Sequence, residues 1–179
     1  MRRVSGIQKI GHNGKIGIHI IMNNQIEIKF LTDCQEHIPV LAKLWYEEIS
    51  RHWISDASID KAIDKLINHS NKIKLPIAMV AMYGGHPVGM ACLRDTDGIR
   101  PGVTPWLGSL VVDPTFRGRG IGETLINVIK LQAKSFGYNV LYLLAFDPTI
   151  SEWYTKLGWQ LIGEDQLLGH KVAVMSVKL

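Results

Sequence analysis

VVDPTFRGRGIGETL, Val111 to Leu125, sets two arginines among three glycines where an apolar run gives way to an amphipathic one. Glycine inside a regular element costs about 0.5–1 kcal/mol relative to alanine. Three glycines in such a short span therefore imply a need for bare backbone. A loop of this kind between a strand and a helix presents unpaired N–H groups at the positive end of the helix dipole, with no Cβ atoms to hold a ligand away. Arg117 and Arg119 add charge, so a phosphate suits the loop better than the alternative, a tight turn that merely requires glycine.

Two better-known phosphate loops do not fit. ATP- and GTP-hydrolysing loops need Gly-Lys followed by Ser or Thr, whereas Gly122 is followed by Glu123 and Thr124. A dinucleotide fingerprint needs G-x-G-x-x-G, whereas Gly118, Gly120 and Gly122 run G-x-G-x-G, and Asp147 lies beyond the usual acidic position.

The 179 residues suit one domain with a single sizeable core, and 46% hydrophobic with 20% charged residues excludes a disordered chain. The net charge of +4 favours anionic partners weakly, and a nucleotide cofactor satisfies it as well as a nucleic acid does, so nucleic acid is the weaker reading. Cys34 and Cys92 form no CxxC pair and stand beside no histidine cluster, which implies reduced thiols, a cytoplasmic setting and no metal. No apolar run reaches the roughly 18 residues of a membrane span, and the basic start lacks a cleavage signal.

Residues 1–24 differ in texture from the rest, basic and glycine-containing with one strand-like run, KIGIHIIM, and are expected to be an extension to a domain of residues 25–179. QIEIKFL alternates as a half-buried strand. Thr32 or Asp33 is expected to cap a first helix carrying Leu41, Leu44 and Trp45, and Asp56 or Ser58 a second carrying Ile59, Ile63 and Leu66. IAMVAMY, Gly84-Gly85 and HPVGMACLR read as a hairpin, WLGSLVV as the next strand, and the segment after Gly120 as a helix closed by Gly137. VLYLLAF is apolar without alternation, as in a strand covered on both faces, and is expected to lie parallel to its predecessor. Thr149 and Glu152 suggest a capping box for a short helix, and two strands finish the chain.

Arg117-x-x-Gly120-x-Gly122, preceded by VVDP and followed by a helix, resembles the acyl-CoA signature of the GNAT superfamily of N-acetyltransferases, and WYTKLGW resembles its second motif. The resemblance runs from about Gln25 to Leu179. It implies an α/β fold, a GNAT-like mixed, mostly antiparallel central sheet with a splayed parallel strand pair, flanked by helices. It implies acetyl-CoA as cosubstrate, with pantetheine along Leu110, Val111 and Val112, pyrophosphate on the N–H groups of Arg117, Gly118, Arg119, Gly120, Ile121 and Gly122, and the Val112 N–H as a donor to a developing oxyanion. Tyr154 takes the role of the acid that protonates the departing thiolate; packing within its helix is the other reading. Asp147 stands where many members have an asparagine that contacts pantetheine, and the strand WLGSLVV carries no carboxylate base.

These features lead to an N-acetyltransferase moving an acetyl group to a primary amine of a small molecule by direct attack; a homodimer is compatible with this. The rival readings are a non-catalytic acyl-CoA-binding module, an enzyme acting on a peptide N-terminus, and one acting on a nucleic-acid-borne amine. Base candidates are Glu47, Glu48, His52, Asp95 and Asp97, while Cys92 is expected to be a buried strand residue. Glu47, Glu48 and Asp56, interleaved with Trp45, Tyr46 and Trp53, would suit a cationic amine through cation–π attraction. A preference for acidic peptide N-termini would instead place the site near Arg94 and Arg100.

Overall fold

A computed structural model describes residues 7–12, 15–22 and 26–179. Among these residues nine strands form one sheet: β1 (Ile7–His12), β2 (Lys15–Met22), β3 (Ile26–Phe30), β4 (Ile77–Tyr83), β5 (His86–Arg94), β6 (Trp106–Val112), β7 (Val140–Ala145), β8 (Gln160–Leu167) and β9 (His170–Lys178), in the spatial order β1-β2-β3-β4-β5-β6-β7-β9-β8. Among the described residues only β6 and β7 run parallel, joined by the crossover helix α4 (Ile121–Ser135). The mixed, mostly antiparallel sheet expected from the sequence is thus present. β1 and β2 form a hairpin that joins the sheet through pairing of β2 with β3, Ile20 opposite Ile28.

Helices cover both faces. On one face α4 packs Leu125 and Ile129 onto Ile77, Met79, Ala91 and Leu143. On the other, α1 (Ile38–Trp45) and α3 (Ile59–Asn68) pack Leu41, Ala62 and Leu66 onto Ala78, Val80, Met90 and Cys92. Successive β4 residues serve opposite faces, which is why IAMVAMY has no polar alternation. No helix among the described residues is long and apolar enough to cross a membrane.

The helix starts partly depart from expectation. Neither Thr32 nor Asp33 caps α1; two short 3-10 turns precede it, and Pro39, which has no N–H to leave unpaired, marks its first turn. Ser58 does cap α3, accepting from the Lys61 N–H at 3.1 Å. The last helix, α5 (Pro148–Lys156), is capped by Asp147 rather than by a Thr149–Glu152 box: Asp147 Oδ1 accepts from both the backbone N–H and the hydroxyl of Thr149 at 2.8 Å. Pro148 follows the cap directly, so Thr149 is already the second helical residue and is not the N-cap of a box with Glu152.

At the end of α3, His69 is buried, its Nδ1 3.3 Å from Cys92 Sγ. Burial, aided by the nearby cations Arg94 and Lys65, lowers its pKa from 6.5 to about 3. The unfolded chain therefore takes up this proton first, so the stabilisation is complete above about pH 6.5 and is lost as pH falls towards 3. Urea unfolding between pH 6 and 4 should show the parent losing about 1 kcal/mol more per pH unit than His69→Asn; parallel profiles would refute the assignment.

Candidate active site

The register of β6 with β5 slips between Cys92 opposite Gly108 and Met90 opposite Val111, so β6 carries one extra residue there. Ser109, in this bulge, has φ +51°. Bulges bend a strand and increase its twist. On its other side β6 pairs with β7 only through Trp106–Tyr142 and Leu107–Leu143. Beyond those pairs the two strands are not in register, and a cleft of about 1060 Å³ opens between them.

Backbone alternation tells which groups face the gap. The Val111 carbonyl approaches Gly89 of β5 so closely that a Cβ on Gly89 would lie 2.8 Å from it, and the Asp113 N–H donates to the Val88 carbonyl. Residues 111 and 113 thus face β5, and Leu110 and Val112 face the β7 side. The Val112 carbonyl there accepts from Arg117 Nε at 3.1 Å.

The glycine loop closes one end of the cleft. Gly118 and Gly120 have φ +73° and +80°, and a Cβ on either would meet nothing within 4 Å, leaving a bare cradle at the start of α4. The Thr124 N–H donates to the Gly120 carbonyl at 3.0 Å. By helix geometry the N–H groups of Ile121, Gly122 and Glu123 have no acceptor within α4. Such a cradle fits a pyrophosphate.

Leu110, Val111, Val112, Arg117, Gly118, Gly120, Ile121, Gly122, Asp147 and Tyr154 all line the cleft. The Arg119 side chain is not brought there: its guanidinium lies 4.9 Å over the Phe116 ring and donates to the Thr115 carbonyl. Asp147 lines the cleft, but one of its oxygens is committed to the α5 cap, and the Thr149 hydrogen bonds lower its pKa. Tyr154 is 7% exposed, its ring against Trp153 and Trp159, and burial holds its phenol well above the usual tyrosine range.

The acids expected to attract a cation each have a cation of their own. Glu48 lines the cleft but pairs with Arg117; Glu47 pairs with Lys43 at 3.8 Å; Asp56 pairs with Lys61. The Trp45 ring is covered by Lys65, whose Nζ is 4.4 Å from its centroid, and Trp53 stacks on Phe146. Among the base candidates, His52 lies exposed against the Glu47 carbonyl, Asp95 is exposed, and Asp97 is buried in an ion pair with Arg94 at 2.7 Å. Arg94 borders the cleft, whereas Arg100 pairs with Asp165 of β8.

Sequence reasoning missed Lys65, Ser50 and Trp153, all cleft residues. It also missed the bulge, for which Gly108-Ser109 inside a strand was the available signal. Ser50 ends a single widened π-turn, Tyr46–Ser50, between α1 and the short α2 (Arg51–Trp53). Lys65 left no signal, since a lysine on an amphipathic helix reads as solvated.

The profile of the Acetyltransferase (GNAT) family matches residues 41–159. No curated protein sequence matches the chain. Among solved structures, the chain is similar to the ribosomal-protein-alanine N-acetyltransferase of Brucella melitensis, with 20% identity and a TM-score of 0.67 over 85% of this chain and 99% of that one. It is similar to an acetyltransferase of Streptococcus agalactiae, with 18% identity and a TM-score of 0.67 over 87% and 99%. It is also similar to an aminoglycoside 6'-N-acetyltransferase complexed with coenzyme A, with 20% identity and a TM-score of 0.59 over 78% and 91%. At these identities the likeness is one of fold.

The loop geometry distinguishes its glycines. Gly120→Ala should cost about 1–2 kcal/mol, because a Cβ is disfavoured at left-handed φ. Gly122→Ala, in helical backbone with its Cβ in ordinary contact 3.5 Å from Trp153, should be neutral or stabilising by up to about 1 kcal/mol. Urea unfolding of both variants checks the contrast, and equal effects would contradict it.

Proposed function

The chain belongs to the GNAT acetyltransferase family, and from that premise we propose that residues 25–179 transfer an acetyl group from acetyl-CoA to a primary amine of a small molecule by direct attack. The observation that carries this reading is the cleft itself. It holds the unpaired edge of β6, a glycine cradle at the start of α4 and a buried tyrosine.

Acetyl-CoA, when bound, supplies the acyl group as a thioester. The backbone of Leu110 and Val112 faces the gap and suits the amide groups of a pantetheine arm, and the first-turn N–H groups of α4 suit the pyrophosphate. Arg117 neutralises Glu48 beside the phosphate position and braces the Val112 carbonyl. The Val112 N–H, on the same side as that carbonyl, is placed to donate to charge developing on the acyl oxygen.

In the exchange the amine nitrogen forms a bond to the acyl carbon and the carbon–sulfur bond breaks. The nitrogen sheds one proton and the leaving sulfur gains one. Tyr154 is the group in this cleft that can hold a proton for the sulfur, since its buried phenol stays neutral at physiological pH. The acceptor must arrive unprotonated to attack.

Acetyl-CoA at a hundred times its Kd should stabilise the fold by about 2.7 kcal/mol, read as a rise in Tm. Gly120→Val should abolish that rise, since a branched side chain would fill the cradle. Tyr154→Phe should lower kcat by about 10²-fold while changing acetyl-CoA affinity far less. Thiol release on adding an amine tests turnover directly. A Tm rise without thiol release from any amine would favour the non-catalytic acyl-CoA-binding reading.

A further inference from the structure

One wall of the cleft has a charge balance that the acyl-CoA half does not use. It is built by Trp45 of α1, Lys65 of α3, and Arg94 and Asp97 at and after the end of β5, and Ser50 of the π-turn lines the same cleft. Arg94 lies flat on β6 because Gly108 has no side chain; a Cβ there would fall 1.4 Å from a guanidinium nitrogen. Arg94 and Asp97 pair at 2.7 Å, with side chains 14% and 8% exposed. Lys65 has no carboxylate within ion-pair reach among the described residues. Two cations therefore share one carboxylate, and the nearby His69 is neutral.

The hydrogen-bonding inventory points the same way. Trp45 Nε1, Ser50 Oγ and Arg94 Nε are buried without a hydrogen-bond partner among the described residues. The indole and guanidinium N–H groups can only donate. Buried donors without partners are costly, and here they lie on side chains that border the cleft together with an unbalanced lysine. A ligand group rich in acceptors and carrying negative charge answers both imbalances.

We propose that this wall is a carboxylate-binding subsite for the acceptor, with Lys65 and Arg94 as its specificity-determining residues, so that the amine acetylated belongs to a small molecule that also carries a carboxylate. A single negative charge matches the single uncompensated positive charge, whereas a phosphate group would overshoot it. Asp97 holds Arg94 on Gly108 and excludes a second anion. The wall lines the same cleft as Val112 and Tyr154, so the length of the acceptor decides whether an amine anchored there by its carboxylate reaches the thioester, and acids of three lengths are compared. This inference rests on the acyl-transfer reading of the cleft, and it competes with the cationic acceptor expected from Glu47, Glu48 and Asp56, acids that each have a cation partner.

The test compares, on the full chain with acetyl-CoA, the short amines glycine, β-alanine and 4-aminobutyrate with their primary amides and with diamines of matching length. At least one acid should exceed its amide and its diamine about tenfold or more in kcat/KM, the range of a hydrogen-bonded charge. Lys65→Met, which keeps the packing on Trp45, should raise KM for that acid and bring the acid-to-amide ratio close to one, and Lys65→Arg should restore it. Binding of the same compounds to the complex with CoA, followed by calorimetry, reads the preference where turnover is slow. Amides or diamines used or bound as well as the acids, or an acid-to-amide ratio unmoved by Lys65→Met, would overturn the subsite while leaving acetyl transfer standing. Failure to bind acetyl-CoA at all would overturn both.

Discussion

The constraint on which the site depends is that β6 must pair antiparallel with β5 and parallel with β7, and satisfies the second only at its beginning. The extra residue at Ser109 bends the strand, and β7 keeps register with it for two positions. An unpaired strand edge inside a protein is expensive, because every backbone N–H and C=O removed from water needs a partner. The chain answers part of this demand itself, by folding Arg117 back onto the Val112 carbonyl. What remains is an edge of polar backbone facing a gap, which a ligand with its own amide groups can complete.

The same tension governs the opposite wall. Burying Arg94 and Lys65 near each other lowers the Lys65 pKa to about 8, through desolvation first and the like charge of Arg94 second. Desolvation raises the Asp97 pKa despite the neighbouring Arg94. Apolar residues of similar size would often serve stability as well as such a cluster does. Its presence beside the cleft therefore makes better sense as preorganised recognition than as support for the fold, which already has apolar cores on both faces of the sheet.

Much of the fold was legible because its signals are local. Gly118, Gly120 and Gly122 announce a loop whose backbone must be bare, and the first two adopt the positive φ that explains them. The unalternating runs of β4 and β7 announce a sheet covered on both sides. The illegible parts come from pairings between distant positions. Glu48 and Arg117, 69 residues apart, meet in the cleft, so the acid of the expected cation site that lines the cleft already has a partner. Lys65 looked solvated because nothing near it in sequence reveals that it will lie over Trp45 with Arg94 as a neighbouring charge. The bulge lies between these cases: Gly108 hinted at it, but only pairing with β5 decides where the extra residue falls.

Asp147 shows how a departure from a family pattern can have a local cause. An N-cap needs an acceptor for the N–H groups of the first turn, and aspartate and asparagine serve equally well. Asp147 fills that role through Thr149, and Pro148 behind it has no N–H to satisfy. Seven residues span nearly two helical turns, so the cap position and Tyr154 lie on the same side of α5, and both line the cleft. The cap thereby fixes where α5 begins and which face it turns to the gap, and with it the placement of the phenol. On this argument the need at position 147 is a side-chain oxygen that starts the helix in the right register, a need that substitution of an amide by a carboxylate leaves intact.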